Sequence, residues 1–194
     1  MPEILASGGF EGICYIVGHP ETREGLVIDP GGDVHRIVTE LGRAQVRLLY
    51  ILITHGHVDH TAGAPDLARI TGAPVLIHPL DAQGLDFRPH GSLTEGQEIR
   101  LGSYTISVIH TAGHSPGGVC FHAPGAVFTG DTAFAGSIGR TDFPGGNHDL
   151  LVEGVSTKIF SLGDDLRVYP GHGPASTIGR ERLTNPFFRF RQSV

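Results

Sequence analysis

Thr54-His55-Gly56-His57-Val58-Asp59-His60 places four metal-capable side chains in one short run. So dense a set cannot all face one ion. In an extended segment, residues two apart point the same way, so His55 and His57 can pinch one metal. Asp59 and His60 come where the chain must turn, and they reach toward a second metal nearby. Imidazole and carboxylate donors suit Zn, Fe or Mn rather than Ca or Mg. The apolar run Leu48 to Ile53 ends just before these residues, as a buried strand opening into a loop would. A His-rich surface loop would carry the same letters, so the rest of the chain decides between the two readings.

Three more donors stand downstream, each on a glycine-rich turn beside an apolar stretch. They are His114 in Thr111-Ala112-Gly113-His114-Ser115-Pro116-Gly117-Gly118, Asp131 in Phe128-Thr129-Gly130-Asp131, and His172 in Tyr169-Pro170-Gly171-His172-Gly173-Pro174. With its two oxygens, Asp131 can bridge two ions. The expected sites are therefore His55, His57, His114 and Asp131 for one metal, and Asp59, His60, His172 and Asp131 for the other. Two cations about 3.5–4 Å apart with a bridging water form a known hydrolytic device. In order and spacing, these residues resemble the metallo-β-lactamase superfamily, whose signature is Thr-His-x-His-x-Asp-His followed by a distant His, Asp and His. The resemblance implies an α+β fold: an αββα sandwich with the metals at one rim between two sheets.

Composition agrees with such an enzyme. The 194 residues can bury a sizeable core as one domain, expected to span 1–194. No apolar run approaches the roughly 18 residues of a membrane span. Met1-Pro2-Glu3-Ile4-Leu5-Ala6-Ser7 has neither the basic nor the apolar region of an export signal, so a cytoplasmic location is expected. Cys14 and Cys120 read as buried, reduced thiols. The formal charge of -6 has no long run of one sign, so no nucleic-acid footprint shows. Two divalent ions would nonetheless make the pocket locally positive, which favours a small anionic substrate. Lys158, the only lysine, reads as solvent-exposed on a helix. No sequence feature addresses oligomeric state.

Short apolar strands alternate with glycine turns. Strands are expected at 13–17, 26–28, 48–53, 75–77, 104–109, 119–122, 126–129 and 168–169. Asp33 should cap a helix over 34–41 that Gly42 ends. Pro65 fits the first turn of a helix ending near Thr71-Gly72. Helical spacing recurs over 149–161 and 178–183, while 79–98 is the least patterned segment and reads as a surface excursion.

The branch of the superfamily turns on detail. In β-lactamases the position after the loop Asp is usually not His, and a Cys commonly stands where Asp131 does; this chain has His60 and Asp131. Ser137-Ile138-Gly139-Arg140-Thr141-Asp142-Phe143-Pro144-Gly145-Gly146 and Arg180-Glu181-Arg182-Leu183-Thr184-Asn185-Pro186-Phe187 resemble short glyoxalase II-type hydrolases. The resemblance implies hydrolysis of a thioester such as S-lactoylglutathione by metal-bridging hydroxide, with Asp59 and Asp131 as catalytic ligands. Two divalent ions are implied as cofactors, Zn foremost, with Fe or Mn as alternatives. About 22 residues follow His172, too few for the helical domain of full-length glyoxalase II. The Gly-Arg-Thr-Asp-Phe string also resembles persulfide dioxygenases, which keep the ligand set but load one iron. A hydrolase of another ester or lactone, and a non-catalytic metal-binding module, complete the alternatives.

Arg140 is the candidate anchor for a substrate carboxylate; its competing role is a salt bridge to Asp142 or Asp149. Asp29 reads equally as a partner of a ligand histidine or as a turn residue before Pro30. His110 reads as a core or supporting histidine, and His148 as a helix start. His19, His35, His78, His90 and His122 read as structural or exposed.

Overall fold

The computed structural model describes residues 2–8 and 12–188, so expectations placed on Met1, 9–11 and 189–194 lie outside the described residues. In the first half, β1 (Glu3–Gly8), β2 (Ile13–Gly18) and β3 (Glu24–Ile28) lead to helix α1 (Val34–Arg43) and β4 (Arg47–Leu52). Then come α2 (Val58–Thr61), α3 (Ala64–Thr71), β5 (Val75–Ile77), α4 (Pro79–Ala82) and β6 (Gly91–Ser92). The second half opens with β7 (Glu98–Leu101), β8 (Tyr104–His110), β9 (Val119–Ala123) and β10 (Ala126–Gly130). The small pair β11 (Ala133–Phe134) and β12 (Ser137–Ile138) precedes α5 (His148–Gly154). Last come β13 (Arg167–Pro170), β14 (Ser176–Thr177) and α6 (Ile178–Thr184). Strands β1 to β6 form one six-stranded sheet in sequence order; the other runs β14-β13-β10-β9-β8-β7.

Alternation along the strands determines the layering, because successive side chains leave a strand on opposite faces. Tyr15, Val17, Leu26, Ile28 and Leu52 of the first sheet meet Ile106, Val108, Phe121 and Phe128 of the second in one buried cluster. The intervening residues Cys14, Ile16, Val27, Ile51 and Ile53 pack outward against Ile37 and Leu41 of α1 and Leu67 of α3. On the far side, Cys120 and Val127 pack outward against Leu151 and Val152 of α5 and Ile178 of α6. This is the αββα sandwich.

Several local expectations need correction. Gly42 does not end α1; it lies inside the helix, which closes at Ala44, with left-handed Gln45 (φ 52°) turning the chain. Gly42 does not adopt the left-handed conformation of a helix stop, as Gly72 does. The 149–161 helix is present but changes pitch, passing from α5 into a π turn (Val155–Ile159) and a 3₁₀ turn (Phe160–Leu162). Segment 79–98 is more than a surface excursion: it contains α4 and β6, and its Leu93 is fully buried between the sheets. Lys158 is tied down by its Nζ, which donates to the His110 carbonyl (2.7 Å) and to Glu95 (3.2 Å). By contrast, the Asp33 cap and the Gly72 stop of α3 (φ 73°) stand as expected. Among the described residues, no helix is long and apolar enough to cross a membrane.

Strands β3 and β4 run parallel, as do β10 and β13, while β8 and β10 both pair antiparallel with β9. The C-terminal ends of β3 and β4, and those of β8, β10 and β13, therefore lie together within their sheets and meet at one rim of the sandwich. Asp29, the Thr54–His60 loop, His114, Asp131 and His172 all follow those ends. Main-chain bonds lash the loops together: Val119 N–H to Thr54 O (2.8 Å), Gly171 N–H to Gly130 O (2.8 Å) and Ile13 N–H to Gly171 O (2.8 Å).

Candidate metal centre

All seven expected donors converge. His55, His57 and His114 form one tight group, Asp59, His60 and His172 another, and His55, His60 and Asp131 join them in the middle. On the first side, His114 Nε2 lies 2.9 Å from His57 Nδ1. On the second, His172 Nε2 lies 3.1 Å from Asp59 Oδ2 and 3.3 Å from His60 Nε2. Asp131 touches both sides: Oδ1 is 3.3 Å from His60 Nε2, while Oδ2 is 3.6 Å from His114 Nε2 and 3.5 Å from His172 Nε2. A single carboxylate thus spans the two groups.

The imidazoles are aimed from behind. His60 Nδ1 faces Asp29 Oδ2 at 2.9 Å, and His114 Nδ1 faces the Arg140 carbonyl at 2.8 Å. Each partner accepts the Nδ1 proton, so in both rings Nε2 is the nitrogen that faces inward and is open to a metal. Asp29 also accepts from Thr54 N–H (2.7 Å) and Thr54 Oγ1 (2.6 Å), which makes it a supporting carboxylate and not merely a turn residue. Its left-handed backbone (φ 53°), uncommon outside glycine, directs that carboxylate at the rim.

The donors fit a divalent metal centre on the structure's own terms. His55 Nε2 and Asp131 Oδ1 are buried atoms with no hydrogen-bond partner, and such orphans are rare where nothing else is bound. Inward imidazole lone pairs 3.3 Å apart or closer repel unless a cation or proton lies between them. Gly171 leaves room for the arrangement, since a Cβ there would come within 2.6 Å of His60 Cε1. Burial holds the His55 imidazole well below its usual value, helped by His60 and His114, and lowers His57 in the same way. Both therefore offer the neutral ring a metal requires. His60 behaves oppositely: burial pushes it down, but Asp29 and Asp131 outweigh that and hold it up at about 10, so a metal bound at Nε2 would displace the proton the ring otherwise keeps. His55, His60 and His114 are buried, whereas Asp59 and His172, each about one-third exposed, form the open edge.

Arg140 takes the salt-bridge option. Its Nε and Nη2 pair fork-to-fork with Asp142 at 2.8 Å each, and its guanidinium lies 3.7 Å from the Phe143 ring centre. This pair holds the exposed Asp142 carboxyl at about 2. His110 sits beside the site without joining it, its Nε2 on the Pro116 carbonyl (2.9 Å) and its ring stacked on His78. His148 begins α5, as expected. His19 is a structural histidine whose ring meets Ser103 Oγ at 2.9 Å. One buried acid beside the site escaped the sequence reading. Asp81, on α4, is buried and receives Gly56 N–H, Ser115 Oγ and Gly117 N–H. A lone acid after His78-Pro79-Leu80 carries no signal of that role.

Comparison with known proteins places this geometry. The model of the metallo-β-lactamase superfamily matches residues 8–172. Hydroxyacylglutathione hydrolase GloC of Haemophilus influenzae is 34% identical over 205 residues, covering 95% of this chain and 96% of its own. The crystal structure of BLEG-1 B3 metallo-β-lactamase superposes with a TM-score of 0.86 at 34% identity, over 97% of this chain and 100% of that one. TTHA1623, crystallised in a di-iron-bound form, superposes with a TM-score of 0.80 at 34% identity, over 95% of this chain and 99% of that one. With this rim and these matches, the chain belongs to the metallo-β-lactamase superfamily.

Proposed function

We propose that the protein is a metal-dependent thioester hydrolase that splits S-2-hydroxyacylglutathione, such as S-lactoylglutathione, into glutathione and a 2-hydroxy acid. The observation that carries the reading is the convergence of seven donors on one rim in a chain that matches hydroxyacylglutathione hydrolase along 95% of its length. His55, His57, His114 and Asp131 would hold one divalent ion, and Asp59, His60, His172 and Asp131 the other, with Zn foremost. When bound, the ions supply Lewis acidity and a hydroxide nucleophile at neutral pH. The working unit is the chain as a single domain, because residues from both sheets complete one centre.

The protein's own groups do the rest. Asp29 and the Arg140 carbonyl keep the His60 and His114 rings in the tautomer with Nε2 inward. Asp59, at the open edge, turns Oδ2 to His172, and its second oxygen can accept a hydrogen bond from the attacking water and orient it toward the carbonyl carbon. As the carbon–sulfur bond breaks, the thiolate leaves toward that same edge, where solvent protonates it. Phe143, edge-on to His57 at 5.7 Å, and Phe134, edge-on to His172 at 6.0 Å, give the cleft apolar walls. Arg140 uses Nε and Nη2 on Asp142, so Nη1 is the donor a glutathione carboxylate would take. Among the described residues, both thiols are buried and the Ser115 and Thr54 hydroxyls donate to carboxylates, so none of these four competes as a nucleophile.

The test is activity of metal-reconstituted protein on three substrates side by side. Hydrolysis of S-lactoylglutathione, without oxygen uptake on glutathione persulfide or opening of a cephalosporin, supports the reading. Oxygen uptake assigns the single-iron dioxygenase branch instead. Cephalosporin turnover with inert thioester assigns lactam chemistry.

A further inference from the structure

Asp81 bonds to the loops that carry three of the donor histidines. It is 6% exposed, and its partners are neutral donors from two loops far away in sequence. Oδ2 accepts Gly56 N–H at 2.8 Å and Ser115 Oγ at 2.7 Å; Oδ1 accepts Gly117 N–H at 2.6 Å. Gly56 lies between His55 and His57, and Ser115 follows His114. One carboxylate therefore joins the loops that carry the three histidines of the first group. Both loops are shaped to admit it. A Cβ on Gly117 would come within 2.7 Å of Asp81 Oδ1, and one on Gly56 within 3.0 Å of the Asp81 carbonyl. The short helix that presents Asp81 is itself held by Pro79 in its first turn and by the His78 ring, which accepts from Leu80 N–H. The second group leans elsewhere: His60 rests on Asp29, and the His172 turn is tied to Gly130 and Ile13.

We propose that Asp81 is the positioning residue of the first metal site. It clamps the His55–His57 loop to the His114 loop and sets that site's affinity, independently of the Asp59–His60–His172 site. The inference rests on the metal reading above. Its physical basis is twofold. A carboxylate accepting three hydrogen bonds fixes the loops rigidly, and its buried negative charge behind the histidines favours a cation in front of them. Supporting residues of this kind typically change metal affinity by about 10–100-fold when removed.

The experiment is calorimetric zinc titration of the full chain, with cobalt absorption spectra to report each site. Wild type should bind at two sites. Asp81→Asn keeps the size but turns an amide N–H₂ toward the donors it must accept, so the first site should weaken by about 10–100-fold while the second keeps its affinity. Gly117→Ala, whose Cβ would press on both the carboxylate and the main-chain nitrogen of Asp81, should reproduce this by displacing Asp81 with its charge intact. Ser115→Ala, which removes one bond of the three, should fold normally and weaken the first site less. Unchanged affinity at both sites in Asp81→Asn, or equal weakening of both, overturns the proposal. A wild-type protein that takes up no metal overturns the metal reading itself, a result separate from either.

Discussion

Asp131 is the residue on which the two halves of the centre meet, with one oxygen facing His60 and the other between His114 and His172. Asp131→Ala should therefore lower occupancy of both sites and abolish turnover. His172→Ala should mostly empty the second site and leave the first partly filled, as elemental analysis of the two variants will show; equal loss at both sites contradicts the assignment. Arg140 yields a subtler expectation, because its guanidinium is shared between Asp142 and the Phe143 face. Arg140→Ala should raise KM for a glutathione thioester and barely affect an uncharged one, with metal content intact. Equal damage to both substrates means that Arg140 only shapes the loop. The seven donors were legible in the sequence because metal chemistry restricts residue type and a tight loop restricts spacing. Asp29 was half legible and Asp81 not at all, since a buried carboxylate serving backbone amides 25 to 36 residues away has no local pattern.

At the scale of the element, helix α1 offers a clean measurement. Its cap, Asp33, stands in the left-handed region (φ 47°), and its carboxylate meets Arg36 N–H at a long 3.4 Å. Cap removal to alanine costs about 0.5–2 kcal/mol, and a long bond argues for the low end. Alanine at a left-handed position costs roughly 1–2 kcal/mol more, whereas glycine adopts it freely. Urea denaturation should therefore find Asp33→Gly more stable than Asp33→Ala, and the reverse order would mean the cap conformation is not retained. Caps and short apolar strands between glycine turns were readable for the same reason: the physics that sets them is local. The end of α1 was not, because Gly42 is only a weak helix breaker. Segment 79–98 was not either, since its elements are too short to show a period and Leu93 is buried by contacts with distant strands.

The whole molecule depends on the seam between its sheets, where Phe121 and Phe128 are fully buried. Phe121→Ala should cost about 3–5 kcal/mol of unfolding free energy, which denaturant titration will measure. The cysteines lie on the outward faces of the same sheets, under helices, and burial raises both thiols, Cys120 to about 11. Neither should react with a thiol reagent in the folded protein near neutral pH, and both should react once it is unfolded; rapid labelling of the native chain would contradict this packing. The layering was legible only through the family resemblance, and the rim from the donors. What placed the second sheet's loops against the first's was the set of long-range main-chain bonds that no short window of sequence displays. The central claim, a two-metal hydrolytic centre, is tested most directly by elemental analysis of purified protein titrated to saturation. Two divalent ions per chain is the predicted result. Saturation at a single iron per chain contradicts it.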